Sequence, residues 1–164
     1  MRSAYKIIFV FVISLAIIDS CTKDKGRNPE LAYSDRALRD SCENDAAFVY
    51  YKNDPGVIYS GVNGAHGTFK LKFNHIAYAQ LSDGGKLPVG SKFSDGSMVV
   101  KEIMKSGTLD KYAIMYKRAG SWIWAEWTPD LSSKDLSVNG KSNLCTSCHS
   151  QSGNRDLVNT FKFH

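Results

Sequence analysis

The feature that most constrains this chain of 164 residues is the pentapeptide Cys145-Thr146-Ser147-Cys148-His149 near its C-terminus. In the pattern C-x-x-C-H, two thiols add to the vinyl groups of a haem and the histidine ligates the iron. With four cysteines and four histidines in the chain, chance would produce the pattern about 0.002 times. The sequence therefore predicts one covalently attached haem c, held by Cys145 and Cys148, with His149 as the ligand of the iron.

Three other interpretations of the two cysteines are a structural disulfide, a redox-active pair and half of a zinc site. A zinc ribbon would need a second C-x-x-C, which the sequence lacks. A thioredoxin-like redox pair lies early in a βαβ unit, and no such unit surrounds Cys145. The haem interpretation is therefore favoured.

The N-terminal 20 residues have the pattern of an export signal. Two basic residues precede an apolar run, residues 7–18, which as a helix would span roughly 18 Å and is too short to cross a bilayer. Ile18-Asp19-Ser20-Cys21 resembles the box in which a bacterial lipoprotein is cleaved and lipidated at the cysteine, although Asp19 departs from its pattern. The alternative is an ordinary cleaved signal. The sequence predicts a periplasmic or cell-envelope protein, anchored to the membrane through lipid on Cys21.

Charge and composition exclude two other classes of protein. The 21 basic and 16 acidic residues become 19 and 15, a net charge of +4, once Arg2, Lys6 and Asp19 leave with the signal. No arginine-rich stretch or finger spacing accompanies this mild excess, so nucleic acid is not an expected partner. A charged fraction of 23% with 12% aromatic residues argues against disorder, and the length and the hydrophobic fraction of 43% suit one domain.

Alternation of apolar and polar residues predicts a β-rich domain. The last two predicted strands are joined across a four-residue loop, residues 118–121. Short helices are predicted from about Asn28 to Cys42 and after Asn74, a capping residue. The fold class is therefore α+β, mainly an antiparallel sheet with flanking short helices. The predicted strands are residues 67–73, 97–104, 112–117 and 122–127.

Six blocks share the order and spacing of one known family: His66-Gly67, Asn74 with Ile76-Ala77, residues 93–102, Gly120-Ser121-Trp122, the C-x-x-C-H motif and residues 156–161. By these blocks, residues 44–164 resemble the cytochrome P-460 family, whose relatives include the β-type cytochromes c′. The predicted organisation is a signal peptide over 1–20, a lipidated cysteine, tether and short helix over 21–43, and a haem domain over 44–164.

The resemblance implies a mostly antiparallel sheet, often in a homodimer, and a high-spin five-coordinate haem that handles hydroxylamine or nitric oxide. In the oxidising members a lysine is covalently joined to the porphyrin, and Lys101 occupies the matching position. Alternation places Lys101 beside Val99 and Ile103, on a face that should be apolar. The ordinary interpretation of such a strand lysine is a solvated side chain.

Four other residues are candidates for a part in the site. Glu126 alternates onto the face of the neighbouring tryptophans and is the one carboxylate nominated as a catalytic base. His66, His75 and Met98 are candidates for a sixth iron ligand, while a surface position is the ordinary interpretation of the two histidines and a place in the core that of the methionine. Cys42 is the one cysteine to which neither lipid nor haem is assigned, and it is interpreted either as a structural thiol or as one half of an intermolecular disulfide.

Three functions are compatible with these features. The first is an enzyme that oxidises hydroxylamine or nitric oxide and passes electrons singly to a redox partner protein. The second is a protein of the same fold that binds nitric oxide or carbon monoxide without turnover. The third is an electron-transfer cytochrome, which would need a strong sixth ligand.

Overall fold

A computed structural model of the protein describes residues 35–61, 66–129, 137–138 and 143–164. These residues form an antiparallel sheet of strand order β1-β3-β4-β5-β6-β7, in which β2 also pairs with β3. The strands are β1 (Phe48–Tyr50), β2 (Tyr59–Ser60), β3 (Thr68–Asn74), β4 (Met98–Lys105), β5 (Thr108–Arg118), β6 (Ser121–Trp127) and β7 (Ser137–Val138). The helices are α1 (Asp35–Glu43), α2 (His75–Tyr78), α3 (Asn143–His149) and α4 (Thr160–Phe163), with 3₁₀ turns at Asp45–Ala47 and Tyr51–Asn53. The prediction of an α+β, mainly antiparallel fold is confirmed.

All four predicted strands are present as β3 to β6, with shifted ends. The predicted four-residue loop between β5 and β6 is wrong, because Arg118 pairs with Ser121 and the loop is Ala119-Gly120 alone. Both loop residues have positive φ, 47° and 71°, as in the two-residue turns that suit twisted hairpins. β1 and β2 were not predicted, since strands of three and two residues show no measurable alternation.

The two short helices lie near their predicted places. The side chain of Asn74 accepts a hydrogen bond from the Ala77 backbone N–H and so caps α2 as predicted. Helix α1 ends at Glu43, beside the predicted end at Cys42, whereas the predicted start at Asn28 lies outside the described residues. No described helix is long and apolar enough to cross a membrane.

The sheet separates two hydrophobic cores. One face, here called the C-terminal face, packs against Val158 and Phe161 of the last segment. The other, here called the α1 face, packs against Leu38 and Cys42, which are four residues apart and so share one side of α1. Cys42 has no exposed surface and burial raises the pKa of its thiol, which favours its structural interpretation over an intermolecular disulfide.

The α1 face contains a fully buried lysine, Lys72. Its ammonium group lies 2.6 Å from Asp45 Oδ1 and 2.7 Å from Glu102 Oε1. The hydroxyl of Tyr50 donates to Glu102 Oε2 at 3.1 Å. Because a buried charge is tolerated only when it is paired, Asp45 and Glu102 together compensate for a cation that cannot reach water.

Replacing Glu102 with leucine should lower the free energy of unfolding by about 3 kcal/mol, since it leaves the buried ammonium of Lys72 with one partner. The matched control is Asp40→Ala, which breaks an exposed pair with Arg36 and should cost below about 1 kcal/mol. Urea unfolding monitored by tryptophan fluorescence measures both. Equal losses in the two variants would contradict the assignment.

Candidate haem-binding site

The C-x-x-C-H motif lies on helix α3. Cys145 and Cys148 are three residues apart, and His149 is four residues from Cys145, so the three side chains share one side of the helix. Both thiols are free; Cys145 is half-buried and Cys148 is exposed. The helix therefore brings both cysteines to one side, as two thioether bonds to a single porphyrin require.

His149 is buried and has a fixed orientation. Its Nδ1 lies 2.6 Å from the carbonyl oxygen of Leu157. A carbonyl can only accept, so Nδ1 carries the hydrogen and donates it, and Nε2 keeps its lone pair. Burial lowers the pKa of His149, which favours the neutral ring. Trp124 packs edge-on against this ring with centroids 4.6 Å apart.

These residues fit a haem. An iron ligand must be a neutral imidazole, and a hydrogen bond from its other nitrogen to a carbonyl is the usual way to orient it. His149 meets both conditions, and two unpaired thiols lie on the same helix. The residues that would hold the group are thus Cys145, Cys148 and His149.

Lys101 and Glu126 lie in one row across the sheet. The strand register pairs Leu71 with Lys101, Lys101 with Ala113, and Ala113 with Glu126. Directly paired residues of an antiparallel sheet point to the same face. Lys101 and Glu126 are therefore two strands apart, roughly 10 Å, on either side of the small Ala113 side chain.

The side chain of Lys101 lies on the C-terminal face, together with Val99 and Ile103 of its own strand. Its Nζ is 4.2 Å from the centroid of the Phe69 ring. Removal from water lowers the pKa of Lys101 to about 8. The solvated position that is ordinary for a strand lysine is not the one found here.

Glu126 lies on the face of Trp122 and Trp124, at the margin of the C-terminal core. Its side chain is 43% exposed; Oε1 is 3.8 Å from His66 Nδ1 and Oε2 is 3.7 Å from Lys111 Nζ. Both distances exceed hydrogen-bond range. Glu126 is therefore close to His66 and Lys111 without a hydrogen bond to either, and its carboxylate is partly open to water.

Of the three candidates for a sixth ligand, only His66 lies near His149. Their ring centroids are 6.4 Å apart, and within the described part of the chain His66 Nδ1 is buried without a hydrogen-bond partner. Burial, with the nearby charge of Lys101, lowers the pKa of His66 to about 4. His75 is exposed and contacts the Ala46 carbonyl at 3.3 Å. Met98 is buried on the α1 face, on the other side of the sheet.

Some residues of the site were not found by sequence reasoning. Lys111 was detectable, because it is two residues from Ala113 on the same strand and so points to the same face. Trp124 was recognised as apolar but not as a neighbour of His149. The contact between Leu157 and His149 depends on an irregular turn, which has no sequence signal. Cys21, the predicted lipidation site, lies outside the described residues.

Comparison of the chain with protein-family models, curated proteins and solved structures finds no match. By its fold and site, the chain is an α+β domain with a C-x-x-C-H motif on a helix that packs on one face of an antiparallel sheet.

Proposed function

We propose that this chain is an exported c-type cytochrome of the P-460 type that oxidises hydroxylamine, nitric oxide or both. The observation that carries the proposal is the arrangement around His149. A neutral imidazole whose Nε2 keeps its lone pair lies on the same face of the sheet as Lys101, Glu126 and His66. The iron ligand and the enclosed amine are what the resemblance to the family implies. Glu126 adds a carboxylate that its position on the strand, and not the resemblance, nominates as a base.

Each residue has a distinct part in the proposed reaction. Cys145 and Cys148 would hold the haem and His149 would ligate its iron. When bound, the haem would supply a coordination position for the nitrogen compound and pass its electrons, one at a time, to a redox partner protein. Oxidation of hydroxylamine releases protons, and Glu126 accepts one and passes it to water from its half-exposed position.

Gas binding without turnover is the second candidate function. It requires only the iron ligand and an apolar wall, which His149, Trp124 and Phe69 provide. The distances of 3.8 Å from Glu126 to His66 and 3.7 Å to Lys111 favour this candidate, because neither neighbour orients the carboxylate as a base by a hydrogen bond. Simple electron transfer would instead require His66 to fill the sixth position.

A ferric optical spectrum and a turnover assay with hydroxylamine and an artificial one-electron acceptor test the proposal. We expect a high-spin five-coordinate haem, and a rate that falls about 100-fold in Glu126→Gln because a positioned base contributes at least that much. Asp110→Asn, a carboxylate of β5 outside the site, is the matched control and should keep the rate. A low-spin six-coordinate spectrum would contradict the proposal in favour of electron transfer, and a high-spin haem without turnover would favour gas binding.

The proposed site of action is the cell envelope, with the chain anchored through lipid on Cys21 and able to form a homodimer. Cys21→Ser should release the protein from the membrane fraction, because acyl chains would be its hydrophobic anchor once the signal is cleaved. Fractionation followed by immunoblotting measures this, with Cys42→Ser as a control that should remain bound. Membrane retention of a processed Cys21→Ser protein would overturn the lipoprotein assignment.

A further inference from the structure

The carbonyl that orients His149 belongs to an unusual turn. Arg155 and Val158 form an antiparallel bridge, so that Asp156 and Leu157 are the two residues between them. Their φ angles are 45° and 66°, a left-handed conformation that costs a residue with a side chain roughly 1–2 kcal/mol. Leucine is a poor choice for such a turn, in which glycine and asparagine are preferred. The turn must therefore be held by contacts elsewhere.

Those contacts converge on Asp156. Its carboxylate accepts two hydrogen bonds from the ammonium of Lys117, at 2.9 and 3.0 Å, and one from the Phe93 backbone N–H at 2.9 Å. Its backbone carbonyl accepts from the indole N–H of Trp122 at 2.9 Å. Three segments of the chain thus fix this one residue.

The ion pair between Lys117 and Asp156 is almost entirely buried, with side chains 4% and 7% exposed. A buried pair stabilises a fold little more than apolar residues of the same size would. The pair holds the side chain of Asp156, and Trp122 holds the carbonyl of the Asp156–Leu157 peptide. The next carbonyl along the chain, that of Leu157, is the acceptor of the His149 Nδ1–H bond.

We propose that the Lys117–Asp156 pair is a positioning device for His149, which holds the Leu157 carbonyl on Nδ1–H and thereby sets how strongly Nε2 donates to the iron. The inference rests on the proposed function only in requiring haem on His149, and it does not require turnover. A short hydrogen bond from Nδ1 makes the imidazole a more basic ligand. Because a more basic ligand favours ferric over ferrous iron, loosening the turn should raise the reduction potential.

Resonance Raman of the ferrous haem and a redox titration test this positioning role. Asp156→Asn should move the iron–histidine stretching band to lower frequency and raise the potential. Asp156→Asn also leaves the Lys117 charge unpaired, which by itself raises the potential. The double variant Lys117→Met/Asp156→Leu removes both charges, so we expect the band shift to persist in it. A band at the wild-type frequency in either variant would overturn the proposal.

Asp83→Asn is the matched control. Asp83 pairs with Arg155, the residue before the turn, at 2.6 Å, but it is exposed and has no contact with Asp156 among those given by the structure. The band and the potential should both keep their wild-type values. A shift as large as that of Asp156→Asn would mean that any disturbance near the turn has the same effect, which would overturn the role of the buried pair.

A measurement on the unsubstituted chain covers the case in which the variants do not fold. Nitrogen-15 NMR of ring-labelled histidine in the diamagnetic ferrous carbon monoxide complex should show His149 Nδ1–H protected from exchange with solvent. Rapid exchange would overturn the proposal. If the exported chain carries no haem, the proposed function and the effect on the iron both fail. The positioning of the His149 ring is then tested separately by its tautomer in the haem-free chain: hydrogen on Nδ1 supports it and hydrogen on Nε2 overturns it.

Discussion

Replacing Lys101 with alanine should return the ferrous Soret band from a far-red position to that of an ordinary cytochrome c. A bond from Lys101 Nζ to a bridging carbon of the porphyrin would form by addition of the amine N–H across a double bond of the ring, which needs no oxidant. It would interrupt conjugation and distort the ring, and the substitution removes it. The amine is suited to such a bond because it is enclosed on the C-terminal face and its pKa is lowered to about 8, which leaves a useful fraction uncharged near neutral pH. Haem should stay attached through Cys145 and Cys148, while hydroxylamine oxidation falls.

Lys105→Ala is the control for this spectral change. Lys105 ends the same strand but is exposed, so its removal should leave the red-shifted band in place. A wild-type protein with an ordinary ferrous spectrum, together with a Lys101 peptide free of haem on peptide mapping, would contradict the cross-link. Gas binding would then be the better account of the site.

The double substitution Cys145→Ser/Cys148→Ser should remove most of the haem that stays with the denatured protein. The reason is that thioether bonds survive denaturation whereas the His149 ligation does not. Any haem stain that remains should disappear when Lys101→Ala is added, since that lysine would be the third point of attachment. A gel stained for haem peroxidase activity measures both steps.

The control for haem loss is Cys42→Ser. Its thiol lies on α1 and is buried against the sheet, with Sγ 3.1 Å from the Arg39 carbonyl, and has no part in the site. The stain should remain at the wild-type level, and equal staining of the Cys145/Cys148/Lys101 triple variant would refute all three attachment points.

Much of the sheet was predictable because its central strands are long. Alternation in β6 predicted that Trp124 and Glu126 point to the same face of the sheet. The register between β5 and β6 is the predicted one, although the hairpin loop is shorter than predicted. A loop of four residues pairs Lys117 with Trp122, and so does the observed loop of two. Glu126 therefore lies opposite Ala113 whichever loop is assumed. Lys101 lies opposite Ala113 on the next strand. A one-residue slip would have moved every one of these side chains to the other face.

The proximal contacts of the site were not predictable from local patterns. Lys117 and Asp156 are 39 residues apart, and a lysine on a strand usually reaches water. A left-handed leucine at 157 violates the preference of that conformation for glycine. Such violations concentrate where tertiary contacts impose a geometry on the chain, and here they surround His149.

The most direct test of the central claim is peptide mapping by mass spectrometry of the wild-type chain, exported together with a working haem maturation system. We expect the peptide that spans Cys145 to His149 to carry one haem bonded to both cysteines. An exported, folded protein in which Cys145 and Cys148 are free thiols or joined in a disulfide, with no haem on any peptide, would contradict it.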